Sequence, residues 1–217
     1  MRSRRVRSPI KALHTRTWFS RRPPLVPGQR LPVLLLVHGF GGKGQDMLSL
    51  WQTFANQQGI ILVAPTFPLG QQFEALVPGL YPQLMDSIKP AWDFDPHRVY
   101  VFGYSAGGYT SFEAATEAST YFASAGVFAA IITPDYYWIV TSARRKTPIA
   151  LYIGDHDQFF TLDQTRSTRD ELVSNGFTVH YVELTNQDHN YGAVADKVNA
   201  DAWSLLCRKF SMKPLTF

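Results

Sequence analysis

The stretch RVYVFGYSAGG, residues 98–108, decides the fold. An apolar run, Arg98–Phe102, is typical of a strand, and a helix-compatible segment follows the turn of small residues. Between them, Gly103, Ser105 and Gly107 form the pattern Gly-x-Ser-x-Gly. A serine at so sharp a strand-to-helix turn has a strained backbone and needs small neighbours where the chain crowds itself. The pattern therefore predicts that the serine is a nucleophile and not an incidental residue of a glycine turn.

Strand-like and helix-like segments alternate on both sides of this turn. Five apolar runs are nearly continuous, as in strands that are covered on both faces, and a sixth run alternates. The six predicted strands are Val33–Val37, Ile60–Ala64, Arg98–Phe102, Val127–Ile132, Ile149–Ile153 and Thr178–Leu184. The predicted helices are Asp46–Gln57, Gln83–Lys89, Gly107–Ser119, Asp163–Ser174 and Asn199–Phe210. This order predicts an α/β fold with a mostly parallel central sheet and helices on both faces.

Charge divides the chain of 217 residues into two parts. Residues 1–30 hold nine Lys or Arg and no acid, whereas residues 31–217 hold twelve Lys or Arg against seventeen acids. We expect residues 31–217 to form a single catalytic domain. The basic, Pro-rich head lacks the apolar core of a secretory signal, although its composition resembles a transit peptide. We expect a flexible tail or a misassigned start there, with an added edge strand at Trp18 and Phe19.

The composition argues against several classes of protein. The longest apolar run, Leu31–Val37, is far shorter than the roughly 20 residues that a membrane helix needs. The single cysteine, Cys207, excludes an internal disulfide and a cysteine-based zinc site, and the six histidines include no HExxH pair. Because the positive charge is confined to the head, we expect no nucleic-acid partner. We expect a cytoplasmic monomer or homodimer that needs no metal or cofactor.

A serine nucleophile needs a base, and that base needs a carboxylate to orient it. In this arrangement the acid and then the histidine follow the serine along the chain. His189 lies in a polar loop between the last strand and the last helix, whereas His180 alternates within a strand. Asp155 and Asp157 both follow the strand Ile149–Ile153, and the pattern G-x-x-D favours Asp157. We therefore predict Asp157 as the acid and His189 as the base, and we interpret Asp155 as a turn former.

An oxyanion hole requires two N–H donors near the serine. The first predicted donor is Ala106, which directly follows the nucleophile. The second is expected from the loop HGFGGKGQDM, residues 38–47, where Phe40 is favoured and Gly41 is the alternative. The glycines of this loop allow the backbone to approach a substrate closely. Their spacing is not that of a phosphate-binding loop.

Substrate-binding candidates lie in loops at the carboxyl ends of the predicted strands, where ligands bind in open α/β sheets, or beside the serine. These candidates are Gly41, Tyr104, Tyr136, Tyr137, Trp138, Phe159 and Tyr191. The aromatic members either wall an acyl or aryl pocket or fill the core beneath the loops. The sequence leaves both alternatives open.

The motifs HGFGGKGQDM, GIILVAPTFP, FDPHRVYVFGYSAGG, LYIGDHDQFF and DHNYGAV occur in the order found in the α/β-hydrolase superfamily. They are most similar to the polyhydroxybutyrate-depolymerase and feruloyl-esterase-like esterases, over roughly residues 31–210. The resemblance implies an α/β-hydrolase fold and a cofactor-free hydrolase of carboxylic esters. It assigns the nucleophile to Ser105, the acid to Asp157 and the base to His189.

The two longest predicted loops, Phe67–Pro82 and Thr133–Pro148, are too short to form a lid domain, so we expect short-chain or aryl esters as substrates. Two alternatives keep the same fold. One is a peptidase of the prolyl-oligopeptidase-like type, and the other is a non-catalytic binding protein.

Overall fold

The computed structural model describes residues 5–6, 17–19, 30–67, 84, 86, 88–89 and 93–207. The strands of this part of the chain are β1 Arg5–Val6, β2 Thr17–Phe19, β3 Leu31–Val37, β4 Ile61–Pro65, β5 Phe94–Tyr104, β6 Ser124–Phe128, β7 Ile149–Gly154 and β8 Val179–Leu184. They form one sheet in the order β1-β2-β4-β3-β5-β6-β7-β8. Every pairing from β4 to β8 is parallel, whereas β2 pairs antiparallel with β4 and β1 antiparallel with β2. The predicted parallel sheet is confirmed.

Helices cover both faces of this sheet. Those whose bounds are fully described are α1 Gly44–Gln58, α2 Ala106–Thr116, α3 Trp138–Ser142, α4 Leu162–Ser174 and α5 Ala195–Leu206. Within the predicted helix Gln83–Lys89, the described residues Leu84, Asp86 and Ile88 are also helical. Apolar residues of α1 and α5 form a core on one face, and those of α2, α3 and α4 form a core on the other. Along β3, Leu35 and Val37 belong to the second core, while Leu34 and Leu36 belong to the first. A strand buried on both faces needs apolar residues throughout, which explains its continuous hydrophobic run.

Two predicted elements differ from the structure. The strand expected at Val127–Ile132 lies earlier, at Ser124–Phe128. Gly126 in the middle of this strand must be small, because a Cβ there would lie 2.4 Å from the Phe102 ring. Small residues carry a weak strand signal, so the apolar run just after them was mistaken for the strand.

The segment after β6 was expected to be a loop, but it contains the short helix α3. The last helix begins at Ala195, four residues before the predicted Asn199. The predicted edge residues Trp18 and Phe19 belong to β2. The predictions for residues 68–83 and 208–210 lie outside the described residues. Within the part that is described, no helix is long and apolar enough to cross a membrane.

Candidate active site

Ser105 occupies the sharp turn between β5 and α2. Its backbone has a φ of 55° and a ψ of −120°, and a positive φ is strained for a residue with a side chain. Its N–H donates a 2.9 Å hydrogen bond to the carbonyl of Phe128 at the end of β6. The serine is therefore held at the carboxyl edge of the sheet, at the start of a helix.

The glycines on either side of Ser105 are required because backbone segments pack closely there. A Cβ on Gly103 would lie 1.9 Å from the carbonyl oxygen of Gly107. A Cβ on Gly107 would lie 2.2 Å from the carbonyl oxygen of Val37 in β3. Both distances are far below van der Waals contact, so the Gly-x-Ser-x-Gly pattern is imposed by packing at this turn.

Ser105, His189 and Asp157 form a continuous hydrogen-bonded chain. The Oγ of Ser105 lies 2.9 Å from Nε2 of His189, and Nδ1 of the same ring lies 2.7 Å from Oδ2 of Asp157. The Asp157 side chain is fully buried, and that of His189 is only 12% exposed. The structure thus brings together three residues that the sequence places in three different loops.

The surroundings of Asp157 determine which atoms carry protons. Its Oδ1 accepts hydrogen bonds from the N–H groups of Phe159 at 2.9 Å and Phe160 at 3.0 Å. Because both partners are N–H donors, Oδ1 serves as an acceptor for each, and an ionised carboxylate offers acceptors only. Nδ1 of His189 is therefore the donor to Asp157, and the lone pair of Nε2 faces the Ser105 hydroxyl.

Asp155, the alternative acid, has a different environment. It is exposed, and its Oδ1 accepts a 3.3 Å hydrogen bond from the backbone N–H of Gln187. It therefore supports the loop that contains Gln187, and its interpretation as a turn former stays a prediction.

Gln187, which the sequence analysis did not single out, organises the loop that carries His189. Its buried side-chain amide donates to the carbonyls of Asp188 and Asn190, both at 2.9 Å, and to Oδ1 of Asp188 at 3.1 Å. The two carbonyls flank His189 in the chain. The loop also crosses close to β7, because a Cβ on Gly154 would lie 2.1 Å from the Gln187 carbonyl oxygen.

The loop after β3 lies against the serine. A Cβ on Gly39, the residue before Phe40, would lie 3.3 Å from Cβ of Ser105, so this part of the loop packs beside the nucleophile. The N–H of Ala106 is at the first position of α2, where a helix leaves its N–H groups without intrahelical partners. Both predicted oxyanion donors are thus at the end of the sheet that carries Ser105.

His38, at the base of this loop, is a second residue that the sequence analysis missed. Its Nε2 accepts a 3.0 Å hydrogen bond from the N–H of Phe67, so its Nδ1 carries the proton that faces the Gly39 carbonyl at 2.7 Å. The ring is 2% exposed, and this burial lowers the pKa of His38 below its ordinary value. A neutral His38 therefore links the loop after β3 to the end of β4.

Two of the predicted substrate-binding residues contact the His189 ring. The ring centroid of Phe159 lies 4.6 Å from that of His189, and that of Tyr104 lies 5.2 Å away. Phe159 is 70% exposed, whereas Tyr104 is half-buried. Burial and, to a lesser extent, the nearby charge of Asp157 raise the pKa of Tyr104, so its phenol stays neutral.

Four further candidates lie in the segments that follow β3 and β6. Tyr136 and Trp138 are exposed, and the Tyr136 ring meets that of Tyr109 in α2 edge-on at 5.4 Å. Tyr137 is half-buried and packs against the core. Gly41 is exposed with a φ of 71°, a conformation that favours glycine. Contact of these four residues with a substrate stays a prediction.

The prediction for Tyr191 is wrong. This residue is 1% exposed and lies in the core beneath the site, where its ring packs against Phe102, Phe128 and Tyr104. Its hydroxyl donates a hydrogen bond to the Asn199 side chain. Tyr191 therefore supports the floor of the site and contacts no substrate.

No group of three His, Cys, Asp or Glu side chains within the described residues is arranged to hold a metal ion. The site consists of the serine, the imidazole, the carboxylate and the surrounding backbone N–H groups.

The fold, with its serine at the strand-to-helix turn, is that of the α/β-hydrolase superfamily. The chain belongs to the dienelactone hydrolase family, whose model matches residues 66–208. The narrower resemblance to polyhydroxybutyrate depolymerases and feruloyl esterases stays a prediction.

Known proteins agree with this classification. The bifunctional acetylxylan esterase/xylanase XynS20E of Neocallimastix patriciarum is 26% identical over 139 residues, which are 61% of this chain. The chain spans only 20% of that protein's length. The fluorophosphonate-binding serine hydrolase FphF of Staphylococcus aureus superposes with a TM-score of 0.76 at 15% identity, covering 94% of this chain and 97% of that one. A thermostable esterase superposes with a TM-score of 0.73 at 17% identity, covering 94% of this chain and 61% of the other.

Proposed function

We propose that this protein hydrolyses carboxylic esters through a covalent acyl-serine intermediate. The observation that carries the proposal is the hydrogen-bonded chain from Ser105 Oγ through the His189 ring to Asp157, with distances of 2.9 and 2.7 Å. Both distances are within the range in which a proton can pass between nucleophile and base. Ser105 is the nucleophile, His189 is the general base and then the general acid, and Asp157 orients and stabilises the imidazole.

In the first half of the reaction the Ser105 oxygen attacks the ester carbonyl carbon while Nε2 of His189 takes the hydroxyl proton. The carbon–oxygen double bond becomes a single bond, and the oxygen carries the negative charge. When this intermediate collapses, the bond to the alcohol breaks and His189 gives its proton to the departing oxygen. An acyl group then remains on the serine, and the free alcohol leaves.

In the second half, water replaces the alcohol. His189 takes a proton from the water as its oxygen attacks the acyl carbon, and it returns that proton to the Ser105 oxygen as the acid leaves. The N–H groups of Phe40 and Ala106 bind the oxyanion in both halves. Loss of one such donor typically costs about 2.7–4 kcal/mol of transition-state stabilisation.

We propose short-chain or aryl esters as substrates. Exposed aromatic side chains on the loops, among them Phe40, Trp138 and Phe159, offer apolar surface to a substrate. The acetylxylan esterase activity named for the fungal relative concerns a small acyl group. A small acyl group also suits a nucleophile that is set in a turn and covered by neighbouring loops.

A chain-length series of p-nitrophenyl esters, from acetate to laurate, tests this function. We expect turnover to be highest for the short acyl groups and to fall by several orders of magnitude in Ser105→Ala. A p-nitroanilide with the same acyl group is the control for peptidase chemistry and should be hydrolysed far more slowly than the ester. Equal turnover by the wild type and Ser105→Ala would contradict the proposal.

A further inference from the structure

The ring of Phe159 has an unusual position, because it is exposed and yet packed on the proposed catalytic base. Its centroid lies 4.6 Å from that of His189, with the planes tilted by 59°. Two other rings contact the same imidazole, Tyr104 at 5.2 Å and Phe160 at 5.9 Å, and both are half-buried. Phe159, at 70% exposure, is therefore the one of these three rings that presents most of its surface to solvent.

The backbone holds this ring in place. The N–H of Phe159 donates a 2.9 Å hydrogen bond to Oδ1 of Asp157, the carboxylate that also binds His189. The adjacent Phe160 donates to the same oxygen at 3.0 Å and packs against the core. An exposed ring that the core does not need is thus fixed beside the base by the hydrogen bonds that position the acid.

The proposed reaction places the alcohol part of the ester close to the Phe159 ring. The departing alcohol oxygen receives its proton from Nε2 of His189, so it must lie within about 2.6–3.2 Å of that atom. The carbon group on this oxygen therefore lies beside the imidazole. Phe159 is the most exposed of the three rings on this imidazole, so it is the ring available to a group that extends from the base toward solvent.

We infer that Phe159 forms the binding subsite for the alcohol part of the ester, and that this subsite favours alcohols with an aromatic or similarly flat apolar group. This inference rests on the proposed function and deepens it, because it assigns one ring to one half of the substrate. Two aromatic rings in contact are worth about 0.5–1.5 kcal/mol beyond the apolar area that they bury. Removal of the Phe159 ring should therefore be felt by aromatic alcohols and hardly by methanol.

A pair of isomeric esters tests the subsite. Benzyl acetate carries its ring on the alcohol and methyl phenylacetate carries it on the acid, although both have the same atoms, and their alcohols are of similar acidity. The variants are Phe159→Ala, Phe159→Tyr, which keeps a ring, and Val173→Ala, which shortens another exposed apolar side chain, on α4. The readout is kcat/KM, which reports the steps up to release of the alcohol.

We expect Phe159→Ala to lower kcat/KM for benzyl acetate by about tenfold, equivalent to about 1.4 kcal/mol. The value for methyl phenylacetate should stay within about twofold of the wild type, and Val173→Ala should resemble the wild type with both esters. Phe159→Tyr, which keeps a ring, should lose less with benzyl acetate than Phe159→Ala does. A larger loss with methyl phenylacetate would place the ring on the acyl side and overturn the inference. An equal loss with both esters would mean that Phe159 acts through His189 and would also overturn the inference. No loss with either ester would mean that Phe159 binds neither part of the substrate, which would overturn the inference as well.

Labelling with a fluorophosphonate separates this inference from the proposed function. If the wild type takes up no label and hydrolyses neither ester, the proposed function fails and the subsite fails with it. If Ser105 is labelled and methyl phenylacetate is hydrolysed but benzyl acetate is not, the proposed function stands and only the subsite is wrong.

Discussion

Asp157 and His189 are joined by a 2.7 Å hydrogen bond across 32 residues of sequence, and the carboxylate in this pair is fully buried. The other carboxylate oxygen accepts two backbone N–H groups, so the whole acid is used as an acceptor. This relationship fixes one tautomer of the imidazole and directs the lone pair of Nε2 at Ser105. The proposed chemistry depends on this direction.

Asp157→Asn should reverse that direction. Its amide group would donate to Nδ1 of His189, and Nε2 would then carry the proton and be unable to accept one from Ser105. We expect a folded protein with kcat lowered by about 10⁴-fold, the loss typical of this change in a serine triad. Steady-state kinetics with p-nitrophenyl acetate measures it.

Asp155→Asn is the matched control, because it makes the same change two residues away on an exposed side chain. The remaining carbonyl oxygen can still accept from the Gln187 N–H, so kcat should change by less than about threefold. A larger loss in Asp155→Asn than in Asp157→Asn would show that the acid is assigned to the wrong residue.

Gln187→Glu should loosen the loop that carries His189. It removes the buried N–H donors that hold the carbonyls of Asp188 and Asn190 and puts a carboxylate against these acceptors. We expect kcat to fall by about 10- to 100-fold with little change in KM, because a small displacement of the base affects the chemistry more than substrate binding.

The same substitution at an exposed position of α1, Gln57→Glu, is the control and should leave both constants unchanged. If Gln187→Glu raises KM and leaves kcat intact, Gln187 does not position the base. Circular dichroism establishes that both variants are folded.

Gly107→Ala should destabilise the turn at Ser105. Its Cβ would lie 2.2 Å from the Val37 carbonyl oxygen, and backbone on both sides must move to accommodate it. Overpacking of this kind costs typically about 1–3 kcal/mol in the free energy of unfolding.

Urea unfolding measures this cost, with Gly192→Ala as the control, because the nearest atom to a Cβ there is a side-chain oxygen at 3.3 Å. Gly192→Ala should change the free energy of unfolding by less than about 1 kcal/mol. Equal stability of the two variants would contradict the packing account of the Gly-x-Ser-x-Gly pattern.

His38 should make stability depend on pH. Burial lowers the pKa of His38 in the folded state, whereas its pKa in the unfolded chain is about 6.5. At a pH between these two pKa values the unfolded chain binds more protons than the folded protein, so stability rises with pH there. The contribution of neutral His38 is therefore fully present above the unfolded pKa, and it is lost as the pH falls to the folded pKa.

Comparison with His38→Gln isolates this contribution, because the glutamine does not titrate in this range. The free energy of unfolding of the wild type should exceed that of the variant by more at pH 7 than at pH 5. A difference that is the same at both pH values would mean that His38 does not titrate on unfolding.

The fold could be predicted because its signals are local. The doubly buried strands β3 and β7 appear as continuous apolar runs, and the turn at Ser105 has a pattern that close packing imposes. The predicted bounds of β6 were wrong because the strand contains Gly126, which the Phe102 ring on the neighbouring strand requires, and a local sequence window does not contain that contact. The helix α3 was missed for a similar reason, since its buried residues Ile139 and Val140 contact the core from within a segment rich in turn residues.

The reacting residues of the site could be predicted from the sequence, whereas the residues that hold them in place could not. Ser105, Asp157 and His189 lie together as their order in the chain predicts. Tyr191 was misjudged because its loop position suggested exposure, whereas the short turn after His189 directs its ring into the core. Gln187 could not be predicted, because the sequence of a polar loop does not distinguish a buried glutamine from an exposed one.

Reaction of the full chain with a fluorophosphonate probe tests the central claim most directly. Intact mass should show one adduct for each chain, peptide mapping should place it on Ser105, and ester turnover should be lost in step with labelling. His189→Ala should label far more slowly, because the serine then lacks its base. A folded wild-type sample that forms no adduct, or forms it on another residue while esters are still hydrolysed, would contradict the claim that Ser105 is the nucleophile.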